Sequence, residues 1–155
     1  MKKNLICYFS CSGVTKGVSE KLASFIDADL FEIVPVKAYT DEDLDWTNKS
    51  SRSTIEMNDE SFRPKIKNKL DNIDNYEKII IGFPVWWYRE PSIIDTFIEE
   101  NNLTGKEIYI FVTSGSSSSE SSFDSLKNKY IELSFKGHIR LNNNFTKEEI
   151  NYWLM

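Results

Sequence analysis

This chain of 155 residues has only two cysteines and one histidine, too few for a disulfide framework or a Cys/His metal site. Cys7 and Cys11 stand four apart across the end of an apolar run, which argues against a disulfide and supplies too few ligands for a four-ligand zinc site. Free thiols of this kind fit a reducing cytoplasm, the compartment expected for the protein. No apolar stretch approaches the roughly 20 residues needed to cross a bilayer. The run Leu5-Ile6-Cys7-Tyr8-Phe9 follows two lysines but stops at Ser10, too soon for the core of a secretion signal, so it reads as a buried strand. Nor is there a lysine or arginine run. With 19 basic and 24 acidic residues the net charge is −5, so the chain repels a phosphate backbone and has nothing to bind an anionic membrane. Nucleic acid and membrane are not expected partners.

What is present is enough apolar material for a core, 40% of residues, with 14% aromatic. The length suits one compact domain spanning 1–155. Residues 4–9 form a short continuous apolar run, the mark of a parallel strand covered on both faces. Val14, Val18, Leu22, Phe25 and Ile26 recur at helical spacing. A second strand is expected around Leu30–Val34, stopped by Pro35. Residues 35–60 are polar and irregular, a long excursion of the kind that is often functional. Ile66, Leu70 and Ile73 predict a helix. Ile79–Phe83 is the clearest strand, followed by a helix that starts at Pro91 and carries Ile93, Ile94, Phe97 and Ile98. Ile108–Val112 is a fourth strand. A helix with Phe123, Leu126, Tyr130 and Ile131 follows, then a weak strand at 135–141. Thr146 and Glu149 form a capping box for a last helix. Strands alternating with helices predict an α/β fold: a doubly wound, three-layer sandwich around a five-stranded parallel sheet. Such sheets bind ligands beyond the carboxyl ends of their strands. Three loops therefore carry the functional question.

The first, Ser10-Cys11-Ser12-Gly13-Val14-Thr15, joins a strand end to a helix start. Hydroxyls and free backbone N–H groups converge there, Gly13 lets a ligand approach the backbone, and the helix end favours an anion. The alternative is a hydroxyl-rich helix cap. The Gly-x-x-x-x-Gly-Lys-Ser/Thr spacing of a P-loop is absent. Six residues beyond Cys7 and Cys11 stand Gly13 and Gly17, where a small tyrosine phosphatase needs arginine. Cys11 could have a lowered pKa beside the helix start, yet reads better as a loop filler. The second loop runs from Pro84 through Val85, Trp86, Trp87 and Tyr88 to Pro91. Three consecutive aromatics after a buried strand cannot all face one core, and at least one is expected at the surface or against a flat ligand. Ordinary packing between loop and helix is the other reading. The third loop, Thr113-Ser114-Gly115-Ser116 and the serines after it, offers amides to a polar ring edge, or is a flexible linker.

Together the three loops resemble those of the flavodoxin family. Its phosphate motif is matched by Ser10, Ser12, Gly13 and Thr15, its flavin-ring loop by Pro84-Val85-Trp86-Trp87, and its third loop by Thr113-Ser114-Gly115. The resemblance implies a flavodoxin-like sheet of order 2-1-3-4-5 with FMN as cofactor. Ser10, Cys11, Ser12, Gly13, Val14 and Thr15 would cradle the phosphate. Pro84, Val85, Trp86, Trp87 and Tyr88 would face the isoalloxazine, with Thr113, Ser114, Gly115 and Ser116 at its far side. The cradle is almost neutral, with only Lys16 beside it, and oriented amides suffice to hold a dianion.

Two departures stand out. Val14 occupies a position where many relatives carry Asn, so only a backbone contact transfers there. Residues 84–91 hold no glycine, whereas many flavodoxins place one in this loop, and positive φ without glycine costs on the order of 1 kcal/mol. That implies weaker stabilisation of half-reduced flavin. Trp46 either covers the ring or anchors the excursion. Acidic residues 41, 43, 45, 56, 59 and 60 either dock basic partners or are simply solvated, and the lone His138 is expected to be structural.

The function this implies is an electron carrier between redox partner proteins. The alternative is an FMN-dependent oxidoreductase taking hydride from NAD(P)H to a quinone-type acceptor. No Gly-x-Gly-x-x-Gly is present, but reductases of this fold do not need it. A phosphoacceptor receiver domain is disfavoured, because Ser10 and Pro84 stand where its acidic residues belong.

Overall fold

The computed structural model describes residues 4–114 and 117–154. Five strands, β1 (Asn4–Tyr8), β2 (Asp29–Glu32), β3 (Lys78–Pro84), β4 (Glu107–Thr113) and β5 (Ser134–Arg140), form one sheet of order β2-β1-β3-β4-β5. Every pairing is parallel, as expected. The helices are α1 (Val14–Ile26), α2 (Arg52–Asn58), α3 (Ser92–Glu100), α4 (Glu120–Lys129) and α5 (Lys147–Trp153).

The two-residue period of a strand sorts its side chains into two cores. Leu5, Cys7 and Phe9, Ile79, Ile81 and Phe83, and Ile108, Ile110 and Val112 face one side, where they meet Ile93, Ile94 and Phe97 of α3 and Phe123 and Leu126 of α4. Ile6, Ile80, Tyr109 and Phe111 face the other, against Val18 and Leu22 of α1 and Ile150 of α5. Both faces being covered is why these strands read as unbroken apolar runs. Gly82 is the one gap in β3, and it is filled. It pairs with Phe111, and a Cβ there would lie 2.0 Å from Cζ of the Phe111 ring.

The segment around Ile66, Leu70 and Ile73 departs from expectation, because it is not helical. Pro35 and Ile66 form an antiparallel bridge: Val36 N–H donates to Lys65 O (2.9 Å) and Lys67 N–H to Val34 O (2.7 Å). Asn68 secures it, accepting from Val34 N–H at 3.1 Å and donating to Glu32 O at 2.6 Å. Pro64 sits just before the bridge, and the three apolar residues anchor extended chain to the core, with only a short 3₁₀ turn at Ile73–Asn75. Within the 35–60 excursion, α2 is a helix the polar composition did not reveal. Ser51 caps it by accepting from Thr54 N–H. The last helix starts as expected, with Thr146 Oγ1 accepting from Glu149 N–H at 3.2 Å. No helix among the described residues is long and apolar enough to cross a membrane.

Gly82→Ala should be costly for its size. The added methyl collides with a fully buried ring, so urea unfolding should show a loss of about 3 kcal/mol with an unchanged m-value.

Candidate functional site

Sheet order reverses between β1 and β3, so the chains leaving these strands diverge and open a crevice at the carboxyl edge. The first loop enters α1 at Gly13, which has a φ of +90° and, lacking a side chain, gives the helix no side-chain cap. Open space surrounds the position a Cβ would take there. Ser10 organises the turn from within: its Oγ accepts from the N–H groups of Gly13 and Lys16, both at 3.2 Å. The amides of Val14 and Thr15, in the first helical turn, then have no intrahelical acceptor and no acceptor among the described residues. Thr15 is buried, and its hydroxyl meets that of Thr113 at 2.8 Å. One hydrogen bond thus joins the first loop to the third. Ser12 and Val14 are exposed. Burial pushes the Cys11 thiol up to about 12, so it is no low-pKa nucleophile at this helix start.

After β3, Trp86 and Arg89 close a two-residue hairpin, N–H to O at 3.1 and 3.0 Å in the two directions. Trp87 (φ 48°) and Tyr88 (φ 66°) occupy its tip, the signature of a type I′ turn normally built with Asn or Gly. Positive φ, costly without glycine, is therefore adopted here by two aromatic residues. The turn also separates the three aromatics. Trp86 turns inward, edge-on to Phe9 (5.7 Å) and Tyr39 (5.4 Å), while Trp87 is 38% and Tyr88 74% exposed. Tyr39 is fixed in turn: its hydroxyl donates to Glu56, and the Arg52 guanidinium lies 3.8 Å from its ring centre while Arg52 Nε bonds Glu56 at 2.8 Å. Glu56 is buried in this contact, so it is not part of an acidic surface. Trp46 is 73% exposed and so does not anchor the excursion.

Two hollows meet at Val85, Trp86 and Ser117. One, of about 550 Å³, is lined by Ser12, Val14, Pro84, Thr113, Ser114 and Leu141–Asn143. The other, of about 790 Å³, is bordered by Leu44, Trp46, Ser53, Trp87 and Tyr88. The expected residues Ser12, Val14, Pro84, Val85, Trp86, Trp87, Tyr88, Thr113 and Ser114 thus line a cleft of two adjoining hollows. Ser10, Cys11, Gly13 and Thr15 shape its first loop, and Gly115 and Ser116 lie outside the described residues. Sequence reasoning missed Leu44, Ser53 and the Leu141–Asn143 turn, because nothing local signals that the chain after a weak edge strand returns to the cleft. His138 is structural: its Nδ1 bonds Ser119 Oγ at 2.7 Å and its ring packs on Phe123.

Behind the hairpin lies a buried charge cluster. Lys129 Nζ reaches Glu90 (2.9 Å) and Asp95 (3.0 Å). Ser125 donates to Glu90 at 3.0 Å and Tyr130 to Asp95 at 2.9 Å. Arg89 lies 3.7 and 3.8 Å from the two carboxylates and also bonds Met57 O at 3.1 Å, linking hairpin to α2. Burial, then the hydrogen bond and charge of Asp95, raise the Glu90 pKa to about 7 against the pull of Lys129. Asp95 Oδ2 is buried without a hydrogen-bond partner, with the Arg89 guanidinium 3.8 Å away.

The result is a doubly wound α/β protein whose switch-point cleft has an anion-seeking helix start at one end and an aromatic hairpin at the other. Its residues 3–155 match the flavodoxin family, and the chain belongs to that family. It is 45% identical to a candidate flavoprotein from Bacteroides eggerthii, with TM-score 0.95 and coverage of 98% of this chain and 95% of that one. A second candidate flavoprotein, from Bacteroides uniformis, is 40% identical, with TM-score 0.91 and coverage of 98% and 97%. A flavoprotein from Lactobacillus acidophilus, solved in complex with FMN, is 28% identical, with TM-score 0.77 and full coverage of both chains. No curated protein sequence matches.

Because the folded Glu90 pKa lies above its unfolded value, the native state binds the extra proton between about pH 4.5 and 7. Stability from this group is therefore full below that range and falls as pH rises through it, by on the order of 1 to 3 kcal/mol. Chemical denaturation at pH 5 and pH 8 should show the fall, and Glu90→Gln should flatten it.

Proposed function

We propose that this protein binds FMN in the switch-point cleft and passes electrons through it between redox partners. The observation that carries the proposal is the joining of two unlike surfaces in one cleft: uncommitted amides at the start of α1 and the aromatic hairpin after β3. The FMN complex of the Lactobacillus acidophilus relative supports the choice of ligand.

The amides of Val14 and Thr15, with the exposed Ser12 hydroxyl, would hold the phosphate without a cation. Val85, Trp86 and Trp87 would flank the ring, with Ser114 and its neighbours across from them. Trp46 would cover the outer face, since its exposed indole borders the same hollow as Trp87 and Tyr88. Bound FMN supplies one- and two-electron redox chemistry. The protein's part is to orient the ring, keep water from its inner face and leave an edge open. The exposed Trp87 and Tyr88 beside the cleft favour access by a partner's surface.

FMN titration followed by flavin fluorescence tests the binding. Ser12→Asp puts a negative charge in the turn at an exposed position, where folding should tolerate it. Affinity for FMN should fall by about tenfold or more, and an unchanged affinity would remove the phosphate from this loop. Thr15 is unsuited to the same test because its hydroxyl joins two loops in a buried contact. For the carrier role, the FMN-loaded protein should keep its flavin absorbance when mixed with NADPH and lose it with a chemical reductant. Rapid bleaching by NADPH would instead support the oxidoreductase.

A further inference from the structure

β5 is the weakest strand and an edge strand, yet the chain leaving it returns to the cleft. Leu141 N–H donates to Val112 O at 2.9 Å, extending the parallel register one residue past the strand, so the turn emerges at the same sheet edge as the other loops. Buried Leu141 and Phe145 clamp the two ends of this turn. Between them Asn142, Asn143 and Asn144 are exposed, and the first two share a cleft wall with Ser12 and Val14 of the first loop.

The turn is fixed from below and from within. Lys21 of α1 donates to Asn143 O at 2.7 Å and sits 4.4 Å from the centre of the Phe145 ring. Asn142 Oδ1 accepts from Asn144 N–H at 2.9 Å. That bond assigns the carboxamide: its oxygen is used by the turn, so its NH₂ is left over as a pure donor. Among the described residues neither Asn142 nor Asn143 has an acceptor for its side-chain NH₂. A rigid turn with uncommitted neutral donors thus faces the helix start whose own amides are uncommitted.

We infer that the Asn142–Asn143 turn is a fourth wall of the nucleotide site, whose side-chain amides donate to the phosphate of the flavin and so select phosphorylated over unphosphorylated flavin. The inference rests on the FMN reading above and adds to it the residues that discriminate FMN from riboflavin. The three strand-end loops already carry amides and hydroxyls but no cation on the cleft wall. Two carboxamides opposite them would complete the dianion's coordination while keeping the site neutral.

The test compares FMN and riboflavin titrations of the wild type, Asn142→Asp and Asn143→Asp, followed by flavin fluorescence, with thermal melts of each unliganded variant. Asn142→Asp keeps the oxygen that closes the turn and replaces only the donor, so both variants should melt near wild type. FMN affinity should fall about tenfold or more in each, while riboflavin affinity should stay within about twofold. Equal loss for both flavins would overturn the inference, since the turn would then act through cleft shape alone. No loss for either flavin would overturn it as well. Wild type binding neither flavin would sink the FMN reading and this inference with it. Wild type binding both flavins, with no FMN-specific loss in either variant, would leave the FMN reading standing and sink only this one.

Discussion

The whole arrangement depends on a parallel sheet being buried on both faces. A parallel strand must be followed by a crossover, and the crossovers here lay helices on both sides of the sheet. Every strand therefore ends at the same edge, and the loops leaving β1, β3, β4 and β5 have nowhere else to begin. The divergence of β1 and β3 does the rest: a crevice opens where their loops part, and the Thr15–Thr113 hydroxyl bond ties the start of α1 to the end of β4.

The aromatic hairpin shows how a locally unfavourable shape is maintained. Two bulky residues, Trp87 and Tyr88, sit at positive φ, at a cost of about 1 kcal/mol each. The hairpin is gripped from two sides. Phe9 and Tyr39 pack edge-on against Trp86, and Arg89 ties the other strand of the turn to α2 and to the Glu90–Asp95 cluster. A buried ion cluster is a poor source of net stability, since desolvation offsets much of its attraction. Its value here is geometric: Lys129 of α4 and Asp95 of α3 hold the base of the hairpin in one place. The 35–60 excursion belongs to the same device, because Tyr39, Arg52 and Glu56 brace Trp86 from within it.

Much of this was legible in the chain. The apolar runs at Leu5, Ile79 and Ile108 announced doubly buried strands, because continuous hydrophobicity over so few residues has little other use. The Thr146 cap and the hydroxyl-rich Ser10–Thr15 entry to α1 were readable because caps and helix-entry turns are made by local residue types. The segment 66–73 was misread because three apolar residues at helical spacing also suit an extended chain pinned at three points, and the bridge to Pro35 lies far away in sequence. Positive φ without glycine was expected to cost on the order of 1 kcal/mol, and the hairpin adopts it at Trp87 and Tyr88 because tertiary packing outweighs a local cost of that size. Asn142 and Asn143 gave no sign, since an asparagine-rich turn looks like solvent-exposed chain until the sheet brings it beside Ser12.

By itself the sequence determined the five strands, the helices after β1, β3, β4 and β5, and the class of sheet, because hydrophobic period and capping are properties of a few neighbouring residues. Only the tertiary structure decided which way each of the three aromatics points, that Glu90 shares a buried site with Asp95, and that the turn after β5 closes the cleft. Those are contacts between segments separated by tens of residues. Their geometry follows from how helices and strands pack, which no local pattern encodes.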